Sequence, residues 1–265
     1  MMPVPVPFGQ FVAAESPVHR LDARVKIVVA VVVTIALFVV SEWSALAVIA
    51  VASVAAIGIA RVPMRLALRG LRPVALLLAF TLTANALWPA VRTEALFALG
   101  PLAVDSAGLM RGAFFATRIL LLVFGTSLVT LTTSPVALTD AFAQMMRPLA
   151  RLHFPVDDAA MMMSIALRFM PTTAEEAERI IVAQTARGAR FDAGGPLKRA
   201  RSWMPVLIPL FVRLFRRADD LAVAMEARCY RGAGRTRLRE ARMRPADWIA
   251  LTVGVTAGLA LAILA

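Results

Sequence analysis

The sequence predicts an all-α integral membrane protein, with about five transmembrane helices and a basic module of long amphipathic helices. Three observations predict it. Hydrophobic residues make up 60% of the 265-residue chain and mean hydropathy is +0.75, above the roughly 45–50% apolar content of soluble domains. The apolar residues form long uncharged runs, the pattern of chains that take lipid as solvent. The net charge of +12 is concentrated in one stretch near the C-terminal half. One Cys excludes a disulfide framework, and two separated His residues, His19 and His153, give no metal-site spacing.

Residues 1–26 form a basic N-terminal arm with Arg20, Arg24 and Lys26. Residues 27–133 form a membrane domain with four spans, each needing about 20 helical residues. The first, Ile27–Ser41, is short, so either Lys26 snorkels or the bilayer thins. Ala45-Leu46-Ala47 resembles a cleavage box, but the long preceding arm and the apolar run to Ala60 argue against a signal peptide. The second span is Trp43–Ala60, closed by Arg61. The third is Pro73–Val91, where Asn85 is expected to hydrogen-bond a neighbouring helix. The fourth is Ile119–Thr139 or a slightly earlier window, with Arg118 near its outer end and able to snorkel. Residues 245–265 supply the fifth span.

Arg61, Arg65, Arg69 and Arg72 follow the second span, whereas the loop around Arg92, Glu94, Asp105 and Arg111 balances its charges. The positive-inside bias therefore puts the N-terminus in the cytoplasm.

Residues 134–244 form the cytoplasmic module. Ser134 to Arg244 holds 19 of the 29 Lys and Arg and 11 of the 17 Asp and Glu, a net of +8. It reads as amphipathic helices. Ser134-Pro135 starts one and Pro148 interrupts it. Pro155 with Asp157 starts the next, where Asp157 and Asp158 suit a helix N-terminus. Thr172, Thr173, Glu175 and Glu176 form capping boxes for a third. Ala193-Gly194-Gly195-Pro196 is a break. A further helix, bent near Pro205 and Pro209, ends at Arg231-Gly232-Ala233-Gly234. Ser202–Val212 is apolar but too short to span, and suits the membrane interface or the underside of the bundle.

Two strings repeat at an offset of 41 residues: Ala186-Arg187-Gly188 and Ala227-Arg228-Cys229. Small neighbours let a partner's groove close around a guanidinium, whose five donors suit carboxylates and carbonyls. Each Arg also fits a solvated helix C-terminus, so the residues alone leave both readings open. Met161-Met162-Met163 fits either an adaptable docking surface or core packing.

Several stretches in order resemble the transmembrane T component of energy-coupling factor (ECF) transporters, the EcfT/CbiQ-like family. They are Ser16-Pro17-Val18-His19-Arg20-Leu21-Asp22, Leu131-Thr132-Thr133-Ser134-Pro135, Ala166-Leu167-Arg168-Phe169-Met170-Pro171 with Glu175-Glu176-Ala177-Glu178-Arg179, and Phe215-Arg216-Arg217-Ala218-Asp219 with Ala224-Met225-Glu226-Ala227-Arg228. The resemblance covers most of the chain, roughly Ser16 to Arg239.

The resemblance implies a coupling scaffold in a bacterial or archaeal plasma membrane. Two ABC-type ATPase subunits would bind Ala186-Arg187-Gly188 and Ala227-Arg228-Cys229, one Arg entering each groove. A separate substrate-binding S subunit for vitamin or transition-metal (cobalt, nickel) or biotin uptake would rest on the membrane helices and the apolar side of the module. Met161, Met162 and Met163 are candidates for that contact. Cys229 stands where the family usually has Gly or Ser. No cofactor, catalytic residue, resident metal or nucleic acid is implied.

The rivals are a membrane enzyme, a stand-alone transporter or channel, and a basic protein binding nucleic acid or anionic lipid. The spans supply almost no acid/base or metal-binding groups. The repeat lies in the basic module, not in the spans as in many transporters. No Walker A, His-Glu-x-x-His or Gly-x-Ser-x-Gly motif is present.

Overall fold

The computed structural model describes residues 16–63, 65–66, 70–87, 95–99, 102–152, 155–230, 232 and 243–264. Val91, Arg69, Arg92, Glu94, His153, Arg231, Ala233, Gly234 and Ala265, singled out above, lie outside them. The chain divides into two compact units, one of residues 9–141 with 241–265, the other built on Phe142–Glu240.

The first unit holds α1 (Pro17–Arg20), α2 (Ala23–Val39), α3 (Trp43–Ala60), α4 (Arg72–Leu87), α5 (Ser106–Thr132) and α10 (Pro245–Leu264). The first span therefore begins four residues earlier than Ile27, and the fourth ends at Thr132 rather than Thr139. Ser134 accepts a hydrogen bond from Ala137 N–H at 3.2 Å, and Pro135 opens α6 (Pro135–Met145), inside which the unit boundary falls. α3, α5 and most of α10 are long and apolar enough to cross a bilayer, and Pro73–Leu87 is a shorter apolar helix. Leu76 and Ile263, each 82% exposed, mark faces that only lipid or a partner can cover without cost.

The segment around Asp105 and Arg111 is not a loop. Ala95–Leu99 (β1) pairs antiparallel with Leu102–Asp105 (β2), in register at Ala98 with Ala103. Arg111 already lies in α5, its Nε donating to Ala107 O at 3.4 Å. The sequence signal was present in apolar runs on either side of the turn dipeptide Gly100-Pro101.

Two pairs of glycines four residues apart let helices touch. A Cβ added at Gly108 would lie 2.5 Å from Asn85 O, and one at Gly112 3.2 Å from Leu82 O, so α4 and α5 meet backbone to backbone. Gly254 and Gly258 of α10 instead receive the side chains of Val29 and Val32 of α2, whose methyls fill the space a Cβ would take. This is the small-xxx-small packing of helices in lipid, where close van der Waals contact replaces the hydrophobic effect. Among the described residues Asn85 makes no hydrogen bond across helices, contrary to expectation; its Nδ2 donates to Thr81 O of its own helix at 2.8 Å. Leu37, Val40, Leu46, Ile49, Phe114 and Leu121 form the core where α2, α3 and α5 meet.

Lys26 does not snorkel. Its side chain is 8% exposed, and Nζ donates to Thr132 O at 2.8 Å and Thr133 Oγ1 at 3.4 Å, with a longer contact to His19 O at 3.5 Å. The ammonium thus caps the C-terminus of α5, where carbonyls lack helical partners. The same polar knot holds the start of α2. Asp22 caps it by accepting from Arg24 N–H at 2.9 Å. Buried Asp247 accepts from Asp22 N–H at 2.9 Å and Arg244 N–H at 2.7 Å, tying α10 to α2. Ser16 Oγ accepts from His19 N–H at 3.3 Å and shares a 2.7 Å hydrogen bond with His19 Nδ1.

Arg118 stands in the middle of α5 rather than near its end, but level with the α2–α3 turn. Its Nη2 donates to Val40 O at the end of α2, and its guanidinium lies 5.0 Å from the Phe114 ring and 5.5 Å from that of Phe115. α5 is simply longer than the helices beside it.

Two expected outcomes follow from this packing. Gly108→Ala should destabilise the chain in detergent by about 1–3 kcal/mol, since the facing carbonyl cannot give way. Gly125→Ala on the same helix, with nothing within 4 Å, should be neutral or stabilise by up to about 1 kcal/mol. Equal unfolding midpoints for the pair would refute the close-contact account. Lys26→Ala should cost about 1–3 kcal/mol by stranding buried acceptors at the α5 terminus, measured by thermal unfolding in lipid nanodiscs.

Candidate functional site

The second unit carries the repeated Arg strings. After a 3-10 turn at Arg147–Leu152 come α7 (Val156–Ala186), α8 (Pro196–Ser202) and α9 (Met204–Ala227). α7 is one helix of 31 residues, not the two expected, and runs straight through Pro171. Thr172 makes no capping box. Its Oγ1 instead donates to Phe169 O at 2.9 Å, giving a donor to a carbonyl one turn back, beside the proline that supplies none. Asp157 and Asp158 do occupy the first turn of α7. Pro205 opens α9 instead of bending it, since a first-turn proline loses no helical hydrogen bond, while Pro209 lies inside the helix.

Both Arg strings end long helices, and they end them alike. Arg187 is the C-cap of α7 and Arg228 the C-cap of α9. The next residue is left-handed in each case, with φ 88° at Gly188 and 56° at Cys229. Gly188 N–H donates to Thr185 O at 2.9 Å and Ala189 N–H to Gln184 O at 3.0 Å. In the second string, Cys229 N–H donates to Glu226 O at 2.9 Å and Tyr230 N–H to Met225 O at 3.0 Å. This is the Schellman arrangement, in which a left-handed residue turns the chain and satisfies two orphan carbonyls.

A physical reason for the small third residue follows, and the sequence reading missed it. The position needs positive φ, which Gly adopts freely and other L-residues adopt at a cost of roughly 1–2 kcal/mol. Helix α9 therefore terminates on a mildly strained residue where α7 does not. Helix α9 also ends at Ala227, short of the expected Arg231-Gly232.

The two helices run antiparallel. Gln184 Nε2 donates to Pro205 O at 3.4 Å, Arg213 Nη1 pairs with Glu176, and Arg217 Nη1 donates to Thr172 Oγ1 at 2.9 Å. The Arg217 guanidinium also sits 5.1 Å over the Phe169 ring. Positions descend α7 as they ascend α9. A Cβ at Gly232 would lie 3.8 Å from Asp158 Oδ1, which sets the end of α9 beside the first turn of α7.

Arg187 and Arg228 thus stand at opposite ends of the pair, on the order of 40 Å apart at about 1.5 Å per residue. The structure does not bring them together; it separates them around a local pseudo-twofold axis. Ala186, Arg187, Gly188, Ala227, Arg228 and Cys229 are all exposed. Among the described residues neither guanidinium has a side-chain hydrogen bond or ion pair. Each cation sits at the negative end of its helix dipole.

Met162 and Met163 are 68% and 51% exposed, and Met161 is half-buried. Further along α7, Ala166, Phe169, Met170, Ala174 and Ala177 line an open apolar groove with Leu214 of α9.

Residues 14–238 match the family described as cobalt transport protein CbiQ. Three relatives bear the name energy-coupling factor transporter transmembrane protein EcfT. The one from Thermosediminibacter oceani is 43% identical, with 91% of each chain covered. That from Heliobacterium modesticaldum is 44% identical over 95% of this chain and 94% of its own. That from Thermanaerovibrio acidaminovorans is 46% identical over 93% and 91%. Both the apolar helices and the matched family make this a multi-pass membrane protein. With the match spanning nearly the whole of both partners, the chain belongs to the family of energy-coupling factor transporter transmembrane proteins.

Proposed function

We propose that this protein couples two ABC-type ATPase subunits to a substrate-binding S subunit in the plasma membrane, with its N-terminus in the cytoplasm. One observation supports the reading: two helix ends closed by the same Schellman turn, each offering an exposed Arg with no side-chain partner among the described residues, at opposite ends of an antiparallel helix pair. A dimer of ATPases has two equivalent grooves related by a twofold axis, and the pseudo-twofold pair offers one cation to each. Residues 134–244 act as the coupling module, and 27–133 with 245–265 as the membrane part behind the arm 1–26.

Arg187 and Arg228 are the coupling contacts, with Ala186, Gly188, Ala227 and Cys229 keeping the approach clear. Closure of the ATPases on ATP pushes the two helix ends, and the rigid pair passes the motion to the S subunit. Met161, Met162 and Met163, a flexible apolar surface, are assigned to that subunit. Substrate choice, whether a vitamin or a transition metal, belongs to the S subunit. The chain itself is a non-catalytic transporter component.

The test is ATPase copurification and substrate uptake in cells expressing the whole complex. Arg187→Ala and Arg228→Ala should each weaken ATPase retention by roughly 30-fold, the effect of losing about 2 kcal/mol at an interface hot spot. The two effects should be similar, and the double change should abolish uptake. A double variant that keeps its ATPases and transports normally, or uptake by the purified chain alone in liposomes, would overturn the reading. Cys229→Gly should raise stability by up to about 1 kcal/mol and leave coupling intact, whereas Cys229→Val should destabilise, because a β-branched residue tolerates positive φ poorly. Paired unfolding and copurification measurements check both.

A further inference from the structure

The segment between the two Arg strings is a built platform with its own chemistry. Phe191 packs on Trp203 with ring centroids 5.0 Å apart. Arg199 Nη2 donates to Asp192 O at 3.1 Å, closing the loop that carries α8. Gly194, at φ 99°, leaves room for the Lys198 side chain, whose Cδ would lie 2.8 Å from an added Cβ.

The platform exposes both apolar and basic side chains. Leu197 is 87% exposed, Met204 50% and Ile208 57%, while Val206 turns inward at 2%. Between Ala189 and Met204 the sequence has four cations, Arg190, Lys198, Arg199 and Arg201, against the single anion Asp192. Among the described residues Arg190, Lys198 and Arg201 have no side-chain partner.

We infer that this platform docks on the anionic membrane surface. Leu197, Trp203 and Ile208 enter the headgroup–acyl boundary, while Arg190, Lys198 and Arg201 bind lipid phosphodiesters. An exposed aliphatic tip, an aromatic pair and flanking cations are what an interfacial anchor needs, and the charge excess matches an anionic leaflet. The anchor is distinct from the Arg187 and Arg228 contacts and does not rest on the coupling reading.

The experiment uses the full chain in nanodiscs, without ATPases or S subunit. An environment-sensitive fluorophore is placed on Leu197→Cys in a Cys229→Ser background. Discs of phosphatidylcholine alone are compared with discs of phosphatidylcholine and phosphatidylglycerol, each with lipid carrying a quencher near the headgroup. The expected result is a blue-shifted, lipid-quenched signal in the anionic discs, reversed at about 1 M salt, where the screening length is about 3 Å. Lys198→Gln and Arg201→Gln should each lower the docked-to-undocked ratio about fivefold. Circular dichroism should show these variants folded. A water-exposed signal in both discs, or equal quenching with and without the anionic lipid, would overturn the proposal.

Discussion

A helix that stops leaves its last carbonyls without donors, and every helix end in this chain that bears on function is a solution to that problem. In lipid the problem is acute, because no water is available to substitute. At the end of α5 the donor is an ammonium from another helix, Lys26, reaching Thr132 and Thr133. At the end of α2 it is the Arg118 guanidinium on Val40 O. At the ends of α3, α7 and α9 the chain turns through a left-handed residue, Arg61, Gly188 or Cys229. The first two devices bind helices to one another. The Schellman turns satisfy the last carbonyls from the chain's own backbone, so no other helix is drawn in, and Arg187 and Arg228 lie exposed beside them.

The same economy governs packing. Between apolar helices in lipid there is little hydrophobic drive for association, so cohesion comes from close approach. The glycines at 108, 112, 254 and 258 supply it, and the polar knot of Asp22, Lys26 and Asp247 fixes which helices meet. Two of the stretches that carry the family resemblance, around Ser16–Asp22 and Leu131–Pro135, meet in this knot. Each has a structural part in it: one supplies the cap of α2 and the other the oxygens that Lys26 closes. Sequence reading noted both stretches and missed Asp247, a lone acid at the start of α10 that joins the knot through Asp22 N–H, 225 residues away.

Much of the candidate site was legible. The two Ala-Arg-small strings stood out by their repeat, and Gly194-Gly195-Pro196 marked the true gap between α7 and α8. What misled was proline read as punctuation. Pro171 sits inside a continuous helix, in a turn where Thr172 and Phe169 also meet Arg217 of α9. Local rules assign a break there; the neighbouring helix overrides them. Arg118 was misplaced along its span for a related reason, since the span's length was judged against a bilayer rather than against the shorter helices beside it.

By itself the sequence determined that this is a helical membrane protein, where its apolar runs lie, and which two arginines sit among small residues, because composition and spacing are local properties. Only the tertiary structure decided that those arginines face away from each other at the two ends of an antiparallel pair, and that Lys26 is a buried cap. Both depend on contacts between residues far apart in the chain, set by side-chain packing that no window of sequence contains.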